Sequence, residues 1–172
     1  DIDIFDYVEA LDEKGLTEKE RRENIWGWGP QDDLLYKNVF KKIDKLKKDN
    51  KERFFVTLQG ISSHMTFDKV PKSQRLMYKG KQNKKQSYAN SIRIVDHYHQ
   101  TFFRELKKRE FLKNSVVIIT GDHSFPVGEH NVYYNESGFY NEFFKVPFLM
   151  LAEGNLESTR IKKMSYSQVD IA

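Results

Sequence analysis

Apolar residues recur along much of the chain at the three- and four-residue spacing of helices that bury one face. Residues 2–11, 31–48 and 87–111 show this pattern, and the lysines of the second segment fall on its opposite, solvent-facing side. Thr17 followed by Glu20 has the sequence of a capping box and predicts a further short helix. The pattern therefore predicts several amphipathic helices.

Three shorter stretches have the composition of strands. Residues 53–59 (RFFVTLQ) are rich in β-branched and aromatic side chains, and residues 115–120 (SVVIIT) form the continuous apolar run typical of a strand covered on both faces. Residues 146–151 (VPFLML) predict another buried strand, with Pro147 favouring an edge or a strand start. Strands that alternate with helices predict an α/β fold with a mostly parallel sheet and helices on both faces.

Polar side chains follow two of these predicted strands. Ser62 and His64 come after the first, and Asp122 and His123 come directly after the second. Because sites in open α/β sheets gather at the carboxyl ends of strands, we expect these groups to share one site. An adjacent carboxylate and imidazole can both reach one divalent cation. A turn-forming aspartate beside a structural histidine is the alternative that these residues leave open.

Composition limits the class of protein. The chain is 38% hydrophobic and 14% aromatic, enough for a folded core, and no stretch approaches the roughly 20 apolar residues that span a bilayer. It has no cysteine, which excludes disulfides, thiolate metal sites and a cysteine nucleophile. Because it opens on Asp1 without an initiator methionine or signal peptide, we expect a fragment or a processed product.

The net charge of +4 is concentrated in residues 69–85, here called the lysine-rich loop. A solvated, mobile loop is one interpretation, and a contact surface for anionic lipid headgroups or a polyanionic product is the other. A polyanion-binding module is the alternative function of a different class. Nucleic acid is not an expected partner, because Tyr78 is the one aromatic residue interleaved with these lysines.

The stretch VVIITGDHSFPVGEHN, followed by NEFFKVPFLML, resembles the sulfatase and alkaline-phosphatase superfamily. The segment SYSQVDIA is also similar to that family. The resemblance implies an alkaline-phosphatase-like α/β fold, of which residues 1–172 form the C-terminal portion of the catalytic domain. It also implies that Asp122 and His123 are metal ligands. An imidazole ligand favours Mn²⁺, the first expectation, with Zn²⁺, Mg²⁺ or Ca²⁺ as alternatives.

Two further segments resemble the lipoteichoic acid synthases and related phosphoglycerol transferases within that superfamily, namely FFVTLQGISSHMTFD and WGWGPQDDLLY. This resemblance implies that His64 contacts the substrate phosphate and that Trp28, a better match than Trp26, lines the pocket. Thr66 replaces the proline that the family has after the histidine. His130, in the Gly-Glu-His motif, is assigned a substrate contact rather than a metal-ligand role.

The function implied by the resemblance is metal-dependent transfer of a phosphoryl (phosphoglycerol) group from a membrane lipid headgroup, at the outer face of the membrane. We expect the full protein to be tethered there through segments outside this chain. In the family, a Thr or Ser nucleophile precedes the region matching Asp1, so no catalytic residue is assigned and the fragment alone is expected to be inactive. A sulfatase that hydrolyses sulfate esters is the alternative enzyme, and the donor and acceptor stay open.

Overall fold

The computed structural model describes residues 17–48, 54–134, 138–160 and 166–171, so the helix predicted over residues 2–11 lies outside the described residues. Its helices and strands, connected by loops and short 3-10 turns, are α1 (Glu18–Asn24), β1 (Ile25–Trp26), β2 (Gly29–Pro30), α2 (Asp32–Lys48), α3 (Lys84–Lys108), β3 (Val117–Thr120) and β4 (Phe148–Leu151). Within the described ranges, none of the helices combines the length and apolar character that a membrane crossing needs.

The helix boundaries follow local capping chemistry. The predicted capping box opens α1, where the Thr17 hydroxyl accepts the Glu20 N–H at 3.2 Å and the Glu20 carboxylate accepts the Thr17 N–H at 2.8 Å. A second box, formed by Asn83 and Gln86, starts α3 at Lys84, ahead of the predicted start at 87. These reciprocal hydrogen bonds satisfy amide groups that a helix start would otherwise leave unpaired.

The core lies where α2 packs against α3. Seven buried apolar residues form it: Leu35, Tyr36, Val39, Phe40, Ile43, Leu106 and Phe111. The helical spacing in α2 predicts most of its buried face. The apolar spacing of residues 87–111 includes Ile92, but this residue is 41% exposed and lies along a cleft described below, whereas Ile94 is 2% exposed.

Two of the three predicted strands are present, but their pairing differs from the expectation. β3 and β4 are antiparallel, with Val117 opposite Leu151 and Thr120 opposite Phe148. The other sheet, β1 with β2, is also antiparallel, so the described residues contain no parallel pair. β3 is not covered on both faces, because its residues alternate between half-buried and exposed. Apolar composition predicts a strand but does not say which neighbour will pair with it or cover it.

Residues 54–59 do not form the strand predicted over 53–59. Phe55 is 82% exposed there, and no strand of the described residues lies beside this segment. A β-prone sequence becomes a strand only when a partner satisfies its backbone groups, and the described part of the chain supplies none at this position.

The lysine-rich loop is anchored at its centre. Asn90 of α3 is fully buried; its Oδ1 accepts the N–H groups of Met77 at 2.9 Å and Tyr78 at 3.2 Å, and its Nδ2 donates to the Tyr78 carbonyl at 2.8 Å. The middle of the loop is therefore tied to α3, while Lys69, Lys72, Lys79 and Lys81 of the loop are exposed.

Candidate active site

An open cleft of about 1930 Å³ contains the groups that follow the predicted strands. Residues 54–61 and 63–65 line it, as do one side of α3 and the turn after β3. His64 lies along the same cleft as Asp122 and His123. Three of the four polar groups that follow the predicted strands thus line one cleft, Ser62 being the exception, and residues 54–59 reach it without forming a strand.

The turn after β3 depends on the absence of a side chain at Gly121. A Cβ at this position would lie 3.0 Å from Cγ1 of Val146 and 3.2 Å from its Cβ. β3 can therefore leave the sheet close against the residues that lead into β4, and the next two residues enter the cleft.

Asp122 and His123 place a carboxylate oxygen and an imidazole nitrogen, two atom types that suit a divalent cation, near each other. The Nδ1 atom of His123 lies 3.0 Å from the Ser124 carbonyl, which can only accept, so Nδ1 carries the hydrogen in this arrangement. The lone pair of Nε2 is then free, and this atom lies 3.7 Å from Asp122 Oδ2. The other carboxylate oxygen accepts the His123 N–H at 2.8 Å.

This donor set fits a divalent cation in chemistry but supplies only part of a coordination shell. One carboxylate oxygen and one imidazole nitrogen suit Mn²⁺ or Zn²⁺, and the two side chains are 69% and 56% exposed, Asp122 being the more exposed. In the ranges that the structure describes, no group of three or more His, Cys, Asp or Glu side chains is placed to hold a metal ion. Further ligands would have to come from elsewhere, and the metal assignment stays a prediction.

A glutamine from the end of the described chain holds this turn from behind. The Gln168 Nε2 donates to the carbonyls of Gly121 at 2.5 Å and Asp122 at 3.0 Å. Gln168 itself lies on a short 3-10 turn in which Asp170 Oδ2 accepts the Ser167 N–H at 2.6 Å. The sequence reasoning did not assign Gln168 a role, although the Ser-Gln-Val-Asp-Ile-Ala resemblance contained the signal.

His64 lies beside Trp28, although Trp28 is not itself among the residues that line the cleft. Their ring centroids are 4.4 Å apart with an interplanar angle of 45°. The His64 Nδ1 is 2.7 Å from the Met65 carbonyl, so Nδ1 donates and Nε2 is free for another partner. Trp28 is 68% exposed, whereas Trp26 is half-buried. The geometry thus associates Trp28, rather than Trp26, with the histidine.

His130 contacts Glu142 and Tyr140 rather than the residues that line the cleft. Its Nδ1 lies 2.6 Å from Glu142 Oε1, and its ring stacks on Tyr140 with centroids 4.0 Å apart. The hydrogen bond from His130 holds the pKa of Glu142 below its usual value. His130 is not among the residues that line the cleft. Its substrate contact therefore stays a prediction.

Comparison with known proteins agrees with the motifs. The model of the Sulfatase family matches residues 4–172. The chain is 30% identical over 111 residues to Lipoteichoic acid synthase 1 of Bacillus subtilis (strain 168), which is 63% of this chain and 17% of that protein. It is 25% identical over 144 residues to Phosphoglycerol transferase I of Escherichia fergusonii, which is 81% of this chain and 18% of that protein.

The matched region thus spans less than a fifth of the length of either relative. No solved structure matches the chain at a significant level. The family match covers nearly the whole chain, including the Gly-Asp-His turn and the cleft around it. The chain therefore belongs to the sulfatase family, with an alkaline-phosphatase-like α/β fold and lipoteichoic-acid-synthase-like relatives.

Proposed function

We propose that this protein is a metal-dependent phosphoryl transferase that moves phosphoglycerol from the headgroup of a membrane lipid. The observation that supports this proposal is that His64, with Trp28 beside it, and the Asp122–His123 pair serve one cleft. The printed names of two relatives, a lipoteichoic acid synthase and a phosphoglycerol transferase, favour this substrate class over others in the family.

His64 and Trp28 would bind the phosphoglyceryl group. With Nδ1 bonded to the Met65 carbonyl, Nε2 is the atom that can meet a phosphoryl oxygen, and a protonated ring would donate a charge-assisted hydrogen bond. The Trp28 ring lies against the imidazole, with centroids 4.4 Å apart, and would limit its rotation. These two residues therefore orient the group that is transferred.

Asp122 Oδ2 and His123 Nε2 would hold a divalent ion, with Mn²⁺ preferred and Zn²⁺, Mg²⁺ or Ca²⁺ as alternatives. When bound, such an ion supplies Lewis-acid stabilisation of negative charge on the phosphoryl oxygens. The hydrogen bond between Asp122 Oδ1 and the His123 N–H fixes the carboxylate so that Oδ2 faces the imidazole. The nucleophile and remaining ligands are expected in parts of the protein that precede this chain.

The substrate class also suggests where the protein works. We propose that it is tethered to the membrane and acts on its extracytoplasmic side, through segments outside the described residues. The exposed lysines of the lysine-rich loop carry charge suited to anionic headgroups, and the Asn90 anchor gives that loop a defined place on α3.

The test uses the complete family domain, of which this chain is the C-terminal part. It is incubated with labelled phosphatidylglycerol and Mn²⁺, and release of diacylglycerol is measured. We expect His64→Ala and Asp122→Ala each to lower release by about 100-fold or more, the scale of losing a charge-stabilising group. His97→Ala and Asp68→Ala, two exposed residues outside the cleft, are the matched controls and should retain wild-type release.

The outcomes separate the two candidate functions. Metal-dependent release that both cleft variants lose supports the transferase. Cleavage of an aryl sulfate without release of diacylglycerol would replace it with a hydrolase of sulfate esters, the second candidate, which the family match favours. Release that is unaffected by chelation or by Asp122→Ala would remove the metal assignment.

A further inference from the structure

Two consecutive polar residues are buried at the start of α2. Gln31 is 1% exposed and Asp32 is 3% exposed, although both carry groups that are costly to remove from water. Each holds a different loop, and these two loops carry Trp28 and His64.

Gln31 closes the turn that presents Trp28. Its Nε2 donates to the carbonyls of Trp26 at 2.9 Å and Gly29 at 3.0 Å, on either side of the turn. The hairpin is short, because β1 and β2 pair over two residues each. A buried amide that bonds both ends of so short a hairpin fixes the direction in which the intervening Trp28 leaves the backbone.

Asp32 holds the loop that presents His64. Its Oδ1 accepts the N–H groups of Ile61 at 2.7 Å and Ser62 at 3.2 Å, and its own N–H donates to the Ser62 hydroxyl at 2.9 Å. Ser62 is itself 1% exposed, so these bonds are shielded from water. The His64 N–H then donates to the Ile61 carbonyl at 2.9 Å, which carries the constraint along the loop to the histidine.

The loop can reach the carboxylate because residue 60 is glycine. A Cβ on Gly60 would lie 2.7 Å from Asp32 Oδ2. Asp33, the next residue of α2, has the same charge and nearly the same position on the helix, but its carboxylate pairs with Lys37 at 3.1 Å. A general preference for acidic residues at a helix start therefore does not account for the contacts of Asp32.

We infer that Gln31 and Asp32 are positioning residues that set His64 against Trp28 by holding their two loops from one end of α2. The inference rests on the proposed role of His64 as a substrate contact. The two residues touch the backbone of the loops and not the rings, so their effect on the reaction passes through His64 and Trp28.

The kinetic test is a double-mutant cycle in the complete family domain with phosphatidylglycerol. Asp32→Ala is expected to lower kcat/KM by about 100-fold, the scale of misplacing a substrate-contacting group by about 1 Å. Asp32→Asn keeps an acceptor oxygen for the two N–H groups and should restore most of that loss. In a His64→Ala background, Asp32→Ala should have almost no further effect, because its action passes through the missing ring.

Asp33→Ala is the matched control and should leave kcat/KM near the wild-type value in both backgrounds. Ser62→Ala removes the reciprocal hydroxyl and serves as a second variant if Asp32→Ala fails to fold. Equal losses from Asp32→Ala with and without His64 would overturn the inference, because they would show a role independent of the histidine.

A second readout needs no turnover. The Trp28 ring current shifts the NMR resonances of the His64 ring protons, and Trp28→Ala gives the unshifted reference. We expect Asp32→Ala to move these resonances to the reference position and Asp33→Ala to leave them in place. Unchanged resonances in Asp32→Ala would overturn the inference whatever the activity. Loss of the shift in a protein that does not cleave phosphatidylglycerol would support the positioning role while the proposed function fails.

Discussion

Gly60 is the residue at which the His64 loop approaches α2 most closely. We expect Gly60→Ala to lower the free energy of unfolding by about 1–3 kcal/mol, the usual cost of overpacking. The new Cβ would lie 2.7 Å from a carboxylate oxygen and 3.1 Å from Cγ of Asp32, and that side chain is already fixed by two N–H groups. Urea denaturation measures the change.

Gly80→Ala is the control for this experiment. A Cβ at Gly80 meets no atom within 4 Å. Since alanine also reduces the freedom of the unfolded chain, we expect no loss and a gain of up to about 1 kcal/mol. Similar destabilisation by both substitutions would mean that the contact with Asp32 is not the cause.

Gln168 is another single residue that supports the site, through the Gly121–Asp122 turn. Gln168→Ala removes both hydrogen bonds to the carbonyls of the Gly121–Asp122 turn. We expect affinity for Mn²⁺ to fall by about 10- to 100-fold, the range for losing a residue that orients ligands. Calorimetric titration of the complete domain measures it, with Asn155→Ala as an exposed amide control. Equal affinity in both variants would leave Gln168 without a role in the site.

Among the elements, α3 holds the middle of the lysine-rich loop through the Asn90 side chain. Asn90→Ala would remove the acceptor of the Met77 and Tyr78 N–H groups, at a cost of about 0.5–1.5 kcal/mol per hydrogen bond. We expect trypsin to cleave this loop faster, because the anchored backbone must open before it fits a protease. Thr101→Ala, at an exposed position of the same helix, should not change the cleavage rate; a matching increase there would contradict the anchor.

Arg109 joins α2 to the end of α3 through two carboxylates. Its Nε and Nη2 atoms donate to Asp44 at 2.9 and 3.0 Å, and Nη1 also bonds Glu105. These hydrogen bonds hold the pKa values of Asp44 and Glu105 below their usual range. Because Asp44 is substantially exposed, we expect Arg109→Met to cost no more than about 1 kcal/mol at pH 7.

The pH dependence follows from the lowered pKa values. A depressed carboxyl pKa stabilises the fold above the unfolded-state value of about 4, and this contribution is lost as the pH falls through the folded-state pKa. Urea denaturation at pH 7 and pH 3 should therefore show the difference between wild type and Arg109→Met shrinking in acid. Lys113→Met, which removes an exposed pair with Glu110, should show little difference at either pH. A gap that widens in acid would contradict this account.

The helices could be predicted from sequence because the forces that place them are local. The capping pair of Thr17 and Glu20 lies within one turn, and the apolar spacing of α2 repeats over its length. Strand pairing depends on residues far apart in the sequence, so the apolar run of β3 indicated a strand but not its antiparallel partner. Residues 54–59 carried the same kind of signal and form no strand among the described residues.

The residues of the site also differ in whether the sequence reveals them. Motifs singled out the Gly-Asp-His turn, His64 and Trp28; the structure places the turn and His64 along the cleft and Trp28 against His64. The roles of Gln31 and Asp32, the buried residues that hold these loops, could not be inferred from the sequence. An aspartate at a helix start looks like an ordinary capping residue. Its contacts reach Ile61 and Ser62, far along the chain, and no spacing in the sequence marks them.

At the scale of the whole molecule, the cleft exposes apolar as well as polar side chains. Phe55, Ile92 and Leu149 line it at 82%, 41% and 47% exposure. We expect the 172-residue chain alone to bind anilinonaphthalene sulfonate, a dye that fluoresces on exposed apolar surface. Phe55→Ser should reduce the fluorescence, and Phe139→Ser, at an equally exposed position outside the cleft, should not. Equal reductions of the fluorescence in the two variants would show that the dye does not bind in the cleft.

The hydrogen bonds from Gln168 to the Gly121–Asp122 turn can form only late in synthesis of this chain. A ribosome completes this turn well before it adds the glutamine that holds it, since the two lie 46 and 47 residues apart along the chain. At a synthesis rate of about 5–20 residues per second, the turn lacks the hydrogen bonds from Gln168 for several seconds. The Gly121–Asp122 turn is therefore held only after Gln168 has been added, so a polypeptide released early would carry Asp122 and His123 without the hydrogen bonds that fix their turn.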